Sequence, residues 1–246
     1  MKRVLILSFQ VVFAISLAAQ SQGKIVFEEK MDMHRRIPPE RAEMKEMIPQ
    51  FRANTFELYF TEDASVYKAA EENQTDEVTA SQGGAQIRMR MTPPRREVYK
   101  SLASDKMVDE REFMTKMFLI KGTAAPYKWK ISDGQKKIMD YVCMQATFRD
   151  SVSSYTAWFT PQIPVSNGPA EFGGLPGMIL EININDGERV ITATGVTEKA
   201  VDPEMLEEPT RGKEVTQEEF REIMHEKMKE MQQTHGGGPM IMIHRN

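Results

Sequence analysis

The chain opens on one apolar block and then breaks into short alternating runs. After Lys2 and Arg3, Val4 to Leu17 is apolar apart from Ser8, Gln10 and Ser16, and small Ala18 and Ala19 precede a polar stretch. A basic start, an apolar run and small residues at its end form the pattern of a secretory signal peptide over residues 1–20. The run falls short of the roughly 20 residues that span a bilayer. Next, "KIVFEEKMDM" at 24–33 alternates loosely and predicts a strand. "PPERAEMKEMI" at 38–48 begins with prolines and predicts a short N-terminal helix. In "TFELYFTEDASVYKA" at 55–69, Phe56, Leu58 and Phe60 take every second position before Glu62-Asp63, which predicts a hairpin. Residues 70–86 are polar without period and read as a mobile loop.

From Ile87 to Lys121 the runs "IRMRM", "EVYKSLA" and "FMTKMFLIK" predict three strands. "YKWKI" at 127–131 predicts another, "SDGQ" a turn, "KKIMDYVCMQATFR" two strands or one bent one, and "DSVSS" a turn before "YTAWFT". "MILEIN" and "RVITATGV" flank Asp186-Gly187, a strong hairpin signal. Short strands joined by tight turns, without βαβ units, define the expected fold class. It is mainly β: a single, strongly curved antiparallel sheet, half-barrel or sandwich-like, over residues 21–201. Residues 202–246 are expected as a linker, an amphipathic helix and a Met/His-rich tail. Thr216 and Glu219 have the spacing of a capping box at that helix's start, and Gly236 to Gly238 end it.

Charge and cysteine content narrow the classes. With Lys2 and Arg3 removed, 30 basic side chains face 36 acidic ones, a net charge of −6, which argues against a nucleic-acid partner. Cys143 is alone, so it forms no internal disulfide, and it stands far from the signal, where a lipoprotein anchor would need it. The expected location is outside the cytoplasm, in the periplasm or at the outer membrane, without a lipid anchor.

The densest turn chemistry is "EFGGLPGMIL" at 171–180. Gly173, Gly174, Leu175, Pro176 and Gly177 build one specific bend, with Leu175, Met178 and Leu180 expected to anchor it by burial. The segment lacks a P-loop lysine and opens a strand, so it is not a phosphate cradle. Together with Trp158, "AWFTPQIPVSNGPAEFGGLPGMILEI" resembles the signature of the GLPGLI family of exported Bacteroidetes proteins, with Met178 where the family name has leucine. "YKWKISDGQKKIMDYVCMQATF", carrying Trp129, Lys137 and Cys143, resembles the same family's upstream region. The resemblance implies an exported protein, often encoded beside outer-membrane transport components. It implies no established reaction.

No catalytic set stands out. His34, His225, His235 and His244 all lie near the termini, outside the expected β region. Cys143 sits in an alternating run and reads as a small buried hydrophobe rather than a reactive thiol. The sequence therefore points to a non-enzymatic binding or accessory protein serving an outer-membrane transport system. The rival reading is an envelope hydrolase with a site in the sheet concavity near Trp158 and Glu171. A further feature is methionine, 19 in 246 residues. Met224, Met228, Met231 and His235 fall on one face of the expected helix, and Met240, Met242 and His244 share one face of an extended tail. Thioether and imidazole select soft ions, so Cu(I) or Ag(I) capture is one reading. An ordinary packing stripe is the other, since Phe220 and Ile223 extend the helix face.

Overall fold

The structure, a computed structural model, describes residues 21–46, 48–71, 76–82, 85–91, 95–124 and 127–234. The expected signal peptide and the tail, with His235, Met240, Met242 and His244, lie outside the described residues. In chain order the strands are β1 (Gly23–Asp32), β2 (Phe51–Phe60), β3 (Ala64–Ala69), β4 (Asp76–Gln82), β5 (Ala85–Met91), β6 (Arg96–Ser101) and β7 (Lys106–Phe113). They continue as β8 (Lys116–Thr123), β9 (Lys130–Ile138), β10 (Tyr141–Arg149), β11 (Ser154–Thr160), β12 (Met178–Ile184), β13 (Arg189–Thr197) and β14 (Lys213–Thr216), followed by α1 (Gln217–Thr234).

Twelve of these form one open sheet in the order β14-β8-β7-β6-β3-β2-β1-β13-β12-β11-β10-β9. Every neighbouring pair is antiparallel except β14 on β8, so the sheet is mixed at that edge. The mainly β, curved-sheet fold class read from the sequence is the fold observed. The topology itself forces the curvature. β8 and β9 are ten strand intervals apart in the sheet, a flat distance of ~48 Å at about 4.8 Å per interval. Yet they are consecutive in sequence, with only residues 124–129 between them, a reach of at most ~25 Å when fully extended. The sheet must therefore curl until its two ends approach. Register shifts at Val26/Phe27, Met144/Gln145 and Trp158/Phe159 mark the bulges that help bend it.

A single sheet cannot bury its own concave face, and here the chain between β11 and β12 fills it. That connection contributes Ile163, Val165, Phe172 and Leu175, all 3 % exposed or less, to the same core as Ile25, Phe27, Leu58, Phe60 and Phe159. Met178 and Leu180 at the start of β12 are fully buried. Leu175, Met178 and Leu180 thus anchor the bend by burial, as their apolar character predicts.

Six local expectations change. Of "YKWKI" only Lys130 and Ile131 are strand, and "FMTKMFLIK" is broken by the β7–β8 turn at Met114-Thr115. Residues 70–86 do not form a loop throughout: Asp76–Gln82 and Ala85–Met91 pair as a separate two-stranded sheet. "SDGQ" is not a turn but lies inside β9, and the reversal comes at Met139-Asp140, where Met139 takes φ 51°. The N-terminal helix is two 3-10 segments, Met33–Arg36 and Pro39–Glu46. Within the expected linker, Lys213–Thr216 adds a strand to the sheet, so α1 is tied to the sheet edge by a smaller cluster of Phe118, Ile120, Val215 and Phe220. The capping box forms as its spacing predicts: Glu219 Oε2 accepts from Thr216 N at 2.6 Å, and Thr216 Oγ1 accepts from Glu219 N at 3.2 Å.

Candidate functional site

On β6, residues alternate between the two faces of the sheet, so Arg96, Val98 and Lys100 point the same way. Val98 is fully buried and Lys100 is 3 % exposed, so this is the filled face. Both cations use it to hold the 161–177 connection. Lys100 Nζ donates to Gly168 O and Phe172 O, each at 2.8 Å. Arg96 Nη2 donates to Glu171 Oε2 at 2.8 Å and to Asp109 Oδ2 at 2.9 Å. Arg96 lies directly opposite Arg111 across the β6–β7 ladder. Asp109, 2 % exposed at its side chain, bonds both guanidiniums and removes that repulsion. From the other side, Trp129 Nε1 donates to Gly173 O at 2.9 Å.

These fastenings leave a cavity of about 520 Å³ between the connection, the end of β6 and the crossing segment that carries Tyr127. Lys100, Asn167, Glu171 and Phe172 line it, with Gly173 and Gly174 of the bend and with Glu62 and Asp105. The rings of Tyr127 and Phe172 stand 5.2 Å apart, in a cluster with Trp129, Phe148 and Tyr155. Asn167 is fully buried. Its Oδ1 accepts from Gly168 N at 2.8 Å, while its Nδ2 has no hydrogen-bond partner among the described residues.

The buried charges are strongly perturbed. Burial drives the Lys100 ammonium down to about 7, and neighbouring Glu171 only partly offsets this. Burial also pushes the Glu171 carboxyl up, but the Arg96 and Arg189 charges and the Arg96 hydrogen bond outweigh it and hold the group at about 2. The Lys100 shift makes a pH prediction. Between pH 7 and 10.5 the unfolded lysine is protonated and the folded one is not, so stability should rise with pH across that window. Lys100→Met should remove up to ~1.4 kcal/mol per pH unit of that slope, read as urea midpoints of both proteins at successive pH values. Parallel curves for the two proteins would contradict the assignment.

The residues singled out from the sequence are only partly brought together. Gly173, Gly174 and Glu171 line the cavity, Leu175 is buried beneath it and Pro176 is exposed. Gly177 takes φ +141° at the foot of β12. Trp158 is not on the cavity wall: it is half-buried with Lys136 Nζ 4.6 Å from its ring centroid, and Lys136 pairs with Glu181 at 2.7 Å. Met224 packs against the Phe118–Phe220 cluster, whereas Met228 is 51 % exposed. The side chain of Met231 lies outside the described residues. Among the described residues no group of three or more His, Cys, Asp or Glu gathers as a metal site. Cys143 is fully buried, and burial raises its thiol to about 11. It should resist a disulfide reagent at pH 8 in the native protein and react at once in urea; equal rates in both states would contradict its burial. Arg96, Lys100, Asp109 and Asn167 were missed. The signal available was parity: Arg96 and Lys100 flank an apolar Val98 at every second position, a pattern that reads equally as a solvent-facing strand side.

The fold and site define an open, curled β-sheet protein whose concavity is closed by one long loop over a cavity. PNGF-II, in its P21 and C2 crystal forms, shares this fold, with TM-scores of 0.55 at 15 % and 14 % identity. The similarity covers 85 % and 84 % of this chain but only 34 % and 33 % of those chains, so the chain spans about a third of their length. The model of a family described as "Protein of unknown function (Porph_ging)" matches residues 150–181, which run from the turn before β11 through the loop into β12. No curated protein matches the sequence. No described helix is long and apolar enough to cross a membrane.

Proposed function

We propose that the chain is an exported, non-enzymatic binding or accessory protein of the cell envelope, periplasmic or outer-membrane associated, of the GLPGLI type and serving an outer-membrane transport system. The cavity under the 161–177 loop is its ligand site. The observation that carries this is the loop's fixation: Lys100, Arg96 and Trp129 hold it at four hydrogen-bonded points, which sets the position of the cavity wall. The apolar N-terminal run and the family resemblance support export and the transport partner.

The test is isolation from the native host's envelope, followed by native mass spectrometry and cross-linking. The protein should carry a small molecule released on unfolding and should cross-link to an outer-membrane transporter. Ser166→Trp, at the exposed mouth of the cavity, should remove the small molecule. Protein that carries nothing and cross-links to nothing in the outer membrane overturns the reading. The hydrolase alternative fares less well, because a carboxyl held at about 2 is a poor proton carrier near neutrality. Peptide or glycan turnover lost on Glu171→Ala would restore it.

A second proposal, Cu(I) or Ag(I) capture by the Met/His face, is favoured by the exposure of Met228, which packing does not explain. Cu(I) titration against a chromophoric competitor, with and without residues 236–246, decides it. Failure of the full chain to compete at about micromolar concentrations ends that proposal.

A further inference from the structure

The cavity is graded in polarity from floor to mouth. Lys100, Val165, Asn167 and Phe172 at the floor are buried, and Glu62, Asp105, Ser166 and Gly174 at the mouth are exposed. The floor holds unused donors. Below pH 7, where Lys100 is an ammonium, two of its N–H groups are spent on Gly168 O and Phe172 O, which leaves a third. Asn167 Nδ2 has no hydrogen-bond partner among the described residues, although the residue is fully buried. Its amide cannot simply turn over, because Oδ1 already accepts from Gly168 N. Both side chains are therefore anchored on the same residue, Lys100 at its carbonyl and Asn167 at its amide. Buried donors left unmade are costly, and a carboxylate, with two acceptor oxygens, is the group that serves an ammonium and an amide together.

A simple anion does not fit the rest of the lining. Glu171 is already balanced by Arg96, but Glu62 and Asp105 set two further carboxylates against the one lysine, so an anionic ligand must bring its own positive charge. The Tyr127 and Phe172 rings provide an apolar wall. Resting on the reading of the cavity as a ligand site, we propose that it binds a zwitterion of the amino-acid or short-peptide class. The carboxylate sits on the Lys100 and Asn167 nitrogens, the ammonium faces Glu62 and Asp105, and an apolar side chain lies against Tyr127 and Phe172.

Calorimetric titration of the full chain at about pH 6, where Lys100 is charged, with L-leucyl-L-alanine, its C-terminal amide, its N-acetyl form and glucose tests this. The free dipeptide should bind saturably. Amidation should weaken it about tenfold and acetylation about threefold, because each removes one charge the site reads. Asn167→Asp keeps the acceptor for Gly168 N but replaces the donor with a repelling oxygen, and should abolish binding with the circular dichroism unchanged. If that variant does not fold, Glu62→Gln/Asp105→Asn, both at the exposed mouth, decides by weakening the dipeptide as acetylation does. Equal binding of dipeptide and amide, or undiminished binding by the variant that folds, overturns the inference. Binding of glucose alone, or an envelope-derived molecule that is not a zwitterion, overturns the ligand class and leaves the cavity reading standing. No binding of any probe, together with no molecule carried from the envelope, overturns both.

Discussion

Gly177→Val should leave little or no folded protein. At φ +141° a β-branched residue is strained by itself, on the order of 1–3 kcal/mol. The larger cost is contact. A Cβ at this position would stand 2.2 Å from Thr160 O, 2.7 Å from Thr160 C and 2.9 Å from Pro161 Cα. All three are backbone atoms at the end of β11, so no rotamer change relieves them. The backbone must move, and with it the start of β12, where Met178 N donates to Ile163 O at 3.0 Å. A combined loss above about 4 kcal/mol is a large share of the 5–15 kcal/mol that separates folded from unfolded states. The expected readout is a melting temperature at least ~10 °C lower, or no cooperative transition. Gly174→Ala is the control. Gly174 also has positive φ, +81°, but nothing lies within 4 Å of its added Cβ. It should cost only the strain, about 1 kcal/mol. A wild-type melting temperature for Gly177→Val, or equal damage from the two variants, would refute this account of the bend.

That pair of glycines also shows where the sequence was legible. Gly-Leu-Pro-Gly announces a fixed turn because glycine and proline are strong local punctuation, and the Asp186-Gly187 hairpin and the Thr216–Glu219 cap were readable for the same reason: each is decided within a few residues. The misread segments were decided at a distance. "SDGQ" has turn composition, but its ends stay on the ladder, Ser132 opposite Gln145 and Gln135 opposite Met144, so Asp133-Gly134 forms a bulge and not a reversal; Ser132 Oγ donates to Gln145 Oε1 at 2.8 Å. Residues 76–82 have little apolar periodicity, and they are held as a strand by pairing with Ala85–Met91 outside the large sheet. The parallel pairing of β14 with β8 joins segments about a hundred residues apart in sequence, which no local pattern encodes. The cavity was illegible for a related reason. Arg96 and Lys100 look like the polar side of a strand. Only the curl of the sheet turns that side inward, and only the loop from 161 to 177 supplies the carbonyls and carboxylate that make two buried cations tolerable.

Arg96 is the more exacting of those cations, and Arg96→Leu should destabilise the protein by about 3 kcal/mol, because removing one partner of a buried ion pair strands the other. Burial opposes the guanidinium charge, but Glu171 and Asp109 together keep it firmly protonated. Without it, Asp109, 2 % exposed at its side chain, retains only Arg111. Glu171, 28 % exposed, loses its direct partner but keeps some water and the more distant Arg189, so its share of the loss is the smaller one. The pH dependence separates this mechanism from a simple packing defect. Glu171 has its folded value depressed from 4.5 to about 2, so the stability it contributes is complete above pH 4.5 and is lost as pH falls through 2. In the variant that contribution shrinks. The gap in urea midpoint between wild type and Arg96→Leu should therefore be widest near pH 7 and close progressively toward pH 2–3. A cavity or shape defect would give the same gap at both ends. A pH-independent gap, or a loss under about 1 kcal/mol at pH 7, would show that Arg96 fills space in the concavity rather than balancing the carboxylates that fasten the loop.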